Sequence, residues 1–94
     1  MFTNRLTAVG ERRRLKRFQN TDWLAVLAGR HAELLELKPR FVCAFETTTD
    51  PIPALRRLAR EHPGLVLLLE YETTQCKGLA KAQAGRLVHH RVRY

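Results

Sequence analysis

Only nine acidic residues stand against seventeen lysines and arginines in this 94-residue chain, and the shortage of negative charge leaves a formal net charge of +8. Such a balance excludes a cation-binding acidic protein and makes polyanions the charged partners that the surface attracts. Cysteine is scarce as well. Cys43 and Cys76 stand alone, with no CxxC spacing and no histidine cluster between them, so the zinc templates are not met and both are expected as small apolar core residues. Long hydrophobic runs are missing: the longest nearly uncharged stretch, Gly64 to Leu69, is far short of the roughly 20 residues that span a bilayer. No membrane partner is expected. The opening MFTNRLTAVG has no apolar export region, and a cytoplasmic protein is expected. The size bounds the rest, since 94 residues form one domain with one modest core.

What is present is a clear alternation of elements. Thr3 to Val9 alternates along its length and ends at Gly10, which reads as a first strand. From Glu11 the pattern turns helical, with Leu15 and Phe18 as a thin apolar stripe and Arg12, Arg13, Arg14, Lys16 and Arg17 facing water. The three arginines in its first turn oppose the helix dipole, so the helix is expected to be short. Thr21 and Asp22 then open a second predicted helix, in which Trp23, Leu24, Val26, Leu27, His31, Leu34, Leu35 and Leu37 recur mostly three and four apart. Lys38 and Pro39 close it, and Gly29 within it signals close packing or simple tolerance.

Arg40 to Thr47 returns to strand character with both faces apolar, as in an interior strand. Asp50 is a natural cap for the helix opened by Pro51, whose buried stripe is Ile52, Leu55, Leu58 and Ala59 and whose Arg56, Arg57 and Arg60 face outward. His62-Pro63-Gly64 stops that helix. Leu65 to Glu72, Cys76 to Ala82 and Arg86 to Tyr94 follow as three strands of an antiparallel meander. The order β-α-α-β-α-β-β-β predicts an α+β two-layer sandwich of the ferredoxin-like type, a mostly antiparallel sheet with its helices on one face. Its open face is expected to carry Lys77, Lys81, Arg91, Arg93 and Arg5 beside Glu70 and Glu72.

Three stretches resemble the YubB-like family of plasmid- and phage-associated proteins: TNRLTAVG with the charged helix after it, FETTTDPIPALRRLAREHPGLVLLLEYE, and KGLAKAQAGRLVHHRVRY. The resemblance covers Thr3 to Phe18 and Phe41 to Tyr94. It implies a ferredoxin-like domain in a mobile-element setting and lends no activity. The family's tryptophan-rich central strand is replaced here by the predicted second helix, and Thr49 stands where another tryptophan is expected.

Catalytic constellations are missing. His89 and His90 are neighbours on a strand and point to opposite faces, while His31 and Glu33 diverge on the predicted helix. No HExxH, phosphate loop or nucleophile elbow occurs. A non-enzymatic protein without metal or cofactor is the expectation. Two binding classes remain open, protein interaction as the leading one and nucleic-acid binding as its alternative. A protein partner or a homodimer would use the apolar excess of the second helix, at Trp23, Leu24, Leu34 and Leu35. Nucleic acid would instead meet Arg12, Arg13, Arg14, Lys16 and Arg17, extended by Arg56, Arg57 and Arg60 if the two helices pack side by side.

Overall fold

A computed structural model describes all residues, 1–94. The chain runs β1 (Phe2–Val9), α1 (Arg12–Gln19), α2 (Trp23–Val26), β2 (Arg30–Glu36), β3 (Phe41–Thr47), α3 (Ile52–Glu61), β4 (Val66–Glu72), β5 (Cys76–Gln83) and β6 (Arg86–Arg93). All six strands join one sheet in the order β2-β3-β1-β4-β5-β6, and every neighbouring pair is antiparallel. No helix is long and apolar enough to cross a membrane.

The small α+β architecture and the closing meander agree with the sequence reading. The strand–helix–strand unit around Pro51 has a twist that alternation alone does not reveal. β3 and β4 both pair antiparallel to β1, so they run parallel to each other with β1 lying between them. Helix α3 is the crossover between them.

One face of the sheet holds the core. Leu6, Ala8, Phe41, Cys43, Phe45, Leu67, Leu69, Tyr71, Ala80 and Ala82 form one cluster with Leu15 and Phe18 of α1, Trp23 of α2, and Leu55, Leu58 and Ala59 of α3. The interior position expected of β3 follows from its burial on both faces, where even Val42 is covered. Buried Asn4 ties β1 to β3 by donating from Nδ2 to the Thr47 hydroxyl at 3.1 Å. At the start of α3 the Asp50 carboxylate accepts the Ile52 N–H at 2.9 Å, as the capping argument requires.

The long second helix does not form. Helix α2 stops after four residues in a Schellman arrangement: the Gly29 N–H returns to the Leu24 carbonyl at 2.9 Å and the Ala28 N–H to that of Ala25 at 3.0 Å. Ala28 occupies the left-handed position of that motif with φ 57°, a place that glycine usually takes. Gly29 itself is required by close approach. A Cβ there would lie 2.6 Å from Leu24 Cδ1 and 2.7 Å from Phe45 Cδ2, which no packed core accommodates.

The chain beyond Gly29 is therefore an edge strand, and its pairing with β3 slips register twice, between Arg30 and Glu33 and between Leu34 and Glu36. The interface predicted on the helix dissolves with it. Trp23 is only 7% exposed, stacked on Phe18 at 5.9 Å, and Leu24 packs against the core. Leu34 and Leu35 are half exposed on β2.

The open face also differs from expectation. Lys77, Lys81 and Arg5 lie on it, and Arg5 Nη2 meets Glu70 Oε2 at 2.6 Å. Arg91 and Arg93 do not. The two-residue turn Ala84-Gly85 sets Gln83 opposite Arg86, which places Arg91 across from Gly78 and Arg93 across from Cys76, on the face that carries the core. Their neighbours Val88, His90 and Val92 take the open face instead.

Candidate polyanion-binding surface

Helix α1 is built to be cationic outside and apolar inside. Leu15 and Phe18 are buried three residues apart, so the remaining positions of the two turns must face away from the sheet. Arg12, Arg13, Arg14, Lys16 and Arg17 are all exposed. Lys16 and Arg17 suit the negative end of the helix dipole, whereas Arg12 to Arg14 crowd the positive end, a placement that local stability does not favour.

An open groove of about 610 Å³ runs between α1 and the β2–β3 connection and is lined by Arg12, Leu15, Lys16, Gln19, Leu37, Lys38 and Pro39. Every ionisable residue along it is a cation. Lys38, which the sequence reading treats only as a helix terminator, joins this groove because β2 carries the chain back beside α1. The composition of the 38–39 connection alone contains no signal for it.

On its other flank α1 meets the end of α3. Arg14 and Arg17 share a smaller cleft with Glu61, His62, Pro63, Gly64 and Leu65. Arg14 Nε approaches Glu11 at 3.9 Å and Arg57 Nε approaches Glu61 at 3.6 Å, so carboxylates interrupt the basic surface here. Arg60 lies against Gly85 of the β5–β6 turn, where a Cβ would come within 2.8 Å of its Cγ. The structure thus gathers Arg12 and Lys16 with Lys38, and sets Arg60 of α3 beside a different element from α1.

A polar cluster lies along the second half of β6. Buried Tyr71 receives a hydrogen bond from Arg91 Nε at 2.8 Å and lies 2.5 Å from His89 Nε2. An arginine can only donate, so the phenol oxygen accepts from Arg91, and the direction of its hydrogen bond with His89 Nε2 follows the tautomer of the neutral imidazole. Burial, followed by the charge of Arg91, holds the His89 pKa below its ordinary value and favours that neutral form. Arg91 also reaches Asp50 Oδ2 at 3.5 Å. Gly78 leaves the space that the Tyr71 ring fills. These polar atoms are spent on one another.

Cys43 is buried and Cys76 only half-buried. Burial raises the Cys43 pKa, partly opposed by a hydrogen bond from the Glu33 backbone. His89 faces inward opposite Ala80 and His90 outward opposite Leu79, so the two diverge as expected of strand neighbours. No group of three or more histidine, cysteine or acidic residues gathers closely enough to hold a metal ion. No protein-family model, curated protein or solved structure matches the chain.

Proposed function

We propose that this chain is a non-enzymatic accessory protein that binds nucleic acid along α1 and the groove beside it. The observation that carries the reading is the groove's lining, in which Arg12, Lys16 and Lys38 converge without a carboxylate. Phosphates spaced along a strand would find Arg12 and Lys16 on one wall, Lys38 on the other, and exposed Arg13 and Arg17 on the adjoining helix surface. Backbone contacts of this kind position a nucleic acid without reading its sequence. The exposed ring count is low, which argues against base stacking and for phosphate recognition.

The first four strands in the order β2-β3-β1-β4, with crossovers after β1 and β3, support a ferredoxin-like two-layer sandwich lengthened by β5 and β6. The resemblance to YubB-like proteins, and with it a plasmid or phage setting, rests on the sequence stretches that carry it. The family's tryptophans are absent from β2, which reads RHAELLE.

A second reading, docking to a protein partner or a second copy, is favoured by one specific observation. Leu79, Val88 and Val92 are 50%, 57% and 66% exposed on neighbouring strands of the open sheet face. Fluorescence anisotropy with duplex DNA, single-stranded DNA and RNA tests the first reading. The triple change Arg12→Gln, Arg13→Gln and Arg14→Gln should weaken binding at least ten-fold, while Arg56→Gln with Arg60→Gln should weaken it far less. Equal losses from both sets, or no binding at low salt, would refute the assignment to α1.

A further inference from the structure

We infer that the free edge of β6 accepts an extended acidic segment of a partner protein as an added strand. The inference deepens the protein-docking reading by naming the partner's chemistry.

The backbone supplies the first part of the argument. β6 ends the sheet and pairs only with β5. The Tyr94 N–H donates to the Gln75 carbonyl at 2.9 Å, and Ala84-Gly85 forms a two-residue turn with positive φ at both positions. In an antiparallel ladder the bonded residues alternate, so Arg86, Val88, His90 and Val92 point their backbone groups at β5. Leu87, His89, Arg91 and Arg93 therefore turn theirs to the open edge, and these are the groups that an incoming strand would pair.

The side chains supply the second part. β6 reads RLVHHRVR, with three arginines, two histidines and no acid. A second β6 laid against it would bring together two strands that carry three arginines each and no carboxylate, and their like net charge disfavours the pair. The other edge, β2, is broken by two register slips, and such irregularities blunt an edge against pairing. The chain's own edges are thus poor partners for β6. A segment alternating carboxylates with aliphatic residues fits on both counts: on the side that carries the core its acids face Arg91 and Arg93, and on the open side its aliphatic side chains continue the apolar surface of Val88, Val92 and Leu79.

The test uses a synthetic ten-residue peptide alternating valine with glutamate, followed by amide hydrogen exchange on the whole protein. At saturation the Leu87, His89, Arg91 and Arg93 amides should exchange at least ten-fold more slowly, with Val88, His90 and Val92 unchanged. A peptide alternating valine with lysine, and the glutamate peptide with alternate backbone nitrogens methylated, should give no protection. Arg93→Glu should weaken the glutamate peptide at least ten-fold and admit the lysine peptide. Protection from the methylated or lysine peptide in the parent protein, or no protection at millimolar glutamate peptide, would overturn the inference. Protection of the same amides on raising the protein concentration alone would overturn it too, and would leave the docking reading standing with a second copy as the partner.

Discussion

Gly78→Ala places one methyl group where the Tyr71 ring now lies, and its effect can be worked from the contacts. The added Cβ would fall inside the van der Waals envelope of the ring's outer carbons and hydroxyl. Tyr71 is only 2% exposed and borders Phe2 and His89 at ring-centre distances of 5.7 and 5.6 Å, so the ring cannot simply tilt away. It must swing out and release both the Arg91 and the His89 hydrogen bonds. Those two bonds are worth about 1–2 kcal/mol each, and the overpacking strain adds roughly 1–3 kcal/mol. Replacing glycine returns about 0.5–1 kcal/mol through the unfolded chain. The net loss is about 4 kcal/mol, and at about 4–8 °C per kcal/mol the melting temperature should drop by roughly 16–32 °C. Calorimetry measures it directly. The same change in a Tyr71→Leu background, where the side chain ends short of the clash, should cost less than about 1 kcal/mol. A melting temperature within about 3 °C of the parent, or an equal loss in both backgrounds, would refute the wedge and the cluster built on it.

Three more outcomes follow from the same geometry. Asp50→Ala removes the acceptor of the Ile52 N–H and should cost about 1 kcal/mol, read from the urea midpoint at constant slope. His89 has a folded pKa below its ordinary 6.5, so the unfolded chain takes up the proton first; its stabilising contribution is full above that value and is lost as pH falls towards the folded pKa. Melting temperatures from pH 7.5 to 5 should therefore fall less steeply in His89→Gln than in the parent, and parallel profiles would contradict the assignment. Cys43, buried and with its pKa raised by burial, should resist thiol reagents until the protein unfolds, whereas half-buried Cys76 should label in the native state. Mass spectrometry after brief labelling distinguishes the two sites.

Much of this molecule is legible where period and punctuation agree. β3, α3 and the three closing strands follow from alternation, a proline-opened helix and short polar turns, each of which leaves its own residue signature. β2 leaves none. Its two register slips break the alternation that marks a strand, and Leu24, Leu27, Leu34 and Leu35 keep helical spacing although a reversal at Ala28-Gly29 separates them. The reversal hides because alanine, not glycine, takes the left-handed position. The faces of β6 were accessible by counting: a two-residue turn pairs Gln83 with Arg86, and Arg91 then falls opposite Gly78 among the small inward residues of β5. The cationic residues of α1 are plain in the sequence, but the groove is not, because Lys38 reaches it only once β2 has formed.

The central claim is that Arg12, Lys16 and Lys38 act together on phosphates, and the salt dependence of nucleic-acid binding tests it most directly. Each neutralised phosphate contributes about 0.9 to the slope of log affinity against log salt on duplex DNA and about 0.7 on single strands. Replacing all three residues with glutamine should therefore flatten the slope by roughly 2–3 on duplex DNA and leave the melting temperature within a few degrees of the parent, since all three side chains are exposed. A variant that binds more weakly with the parental slope, or one that binds as tightly as the parent at every salt concentration, would contradict the account.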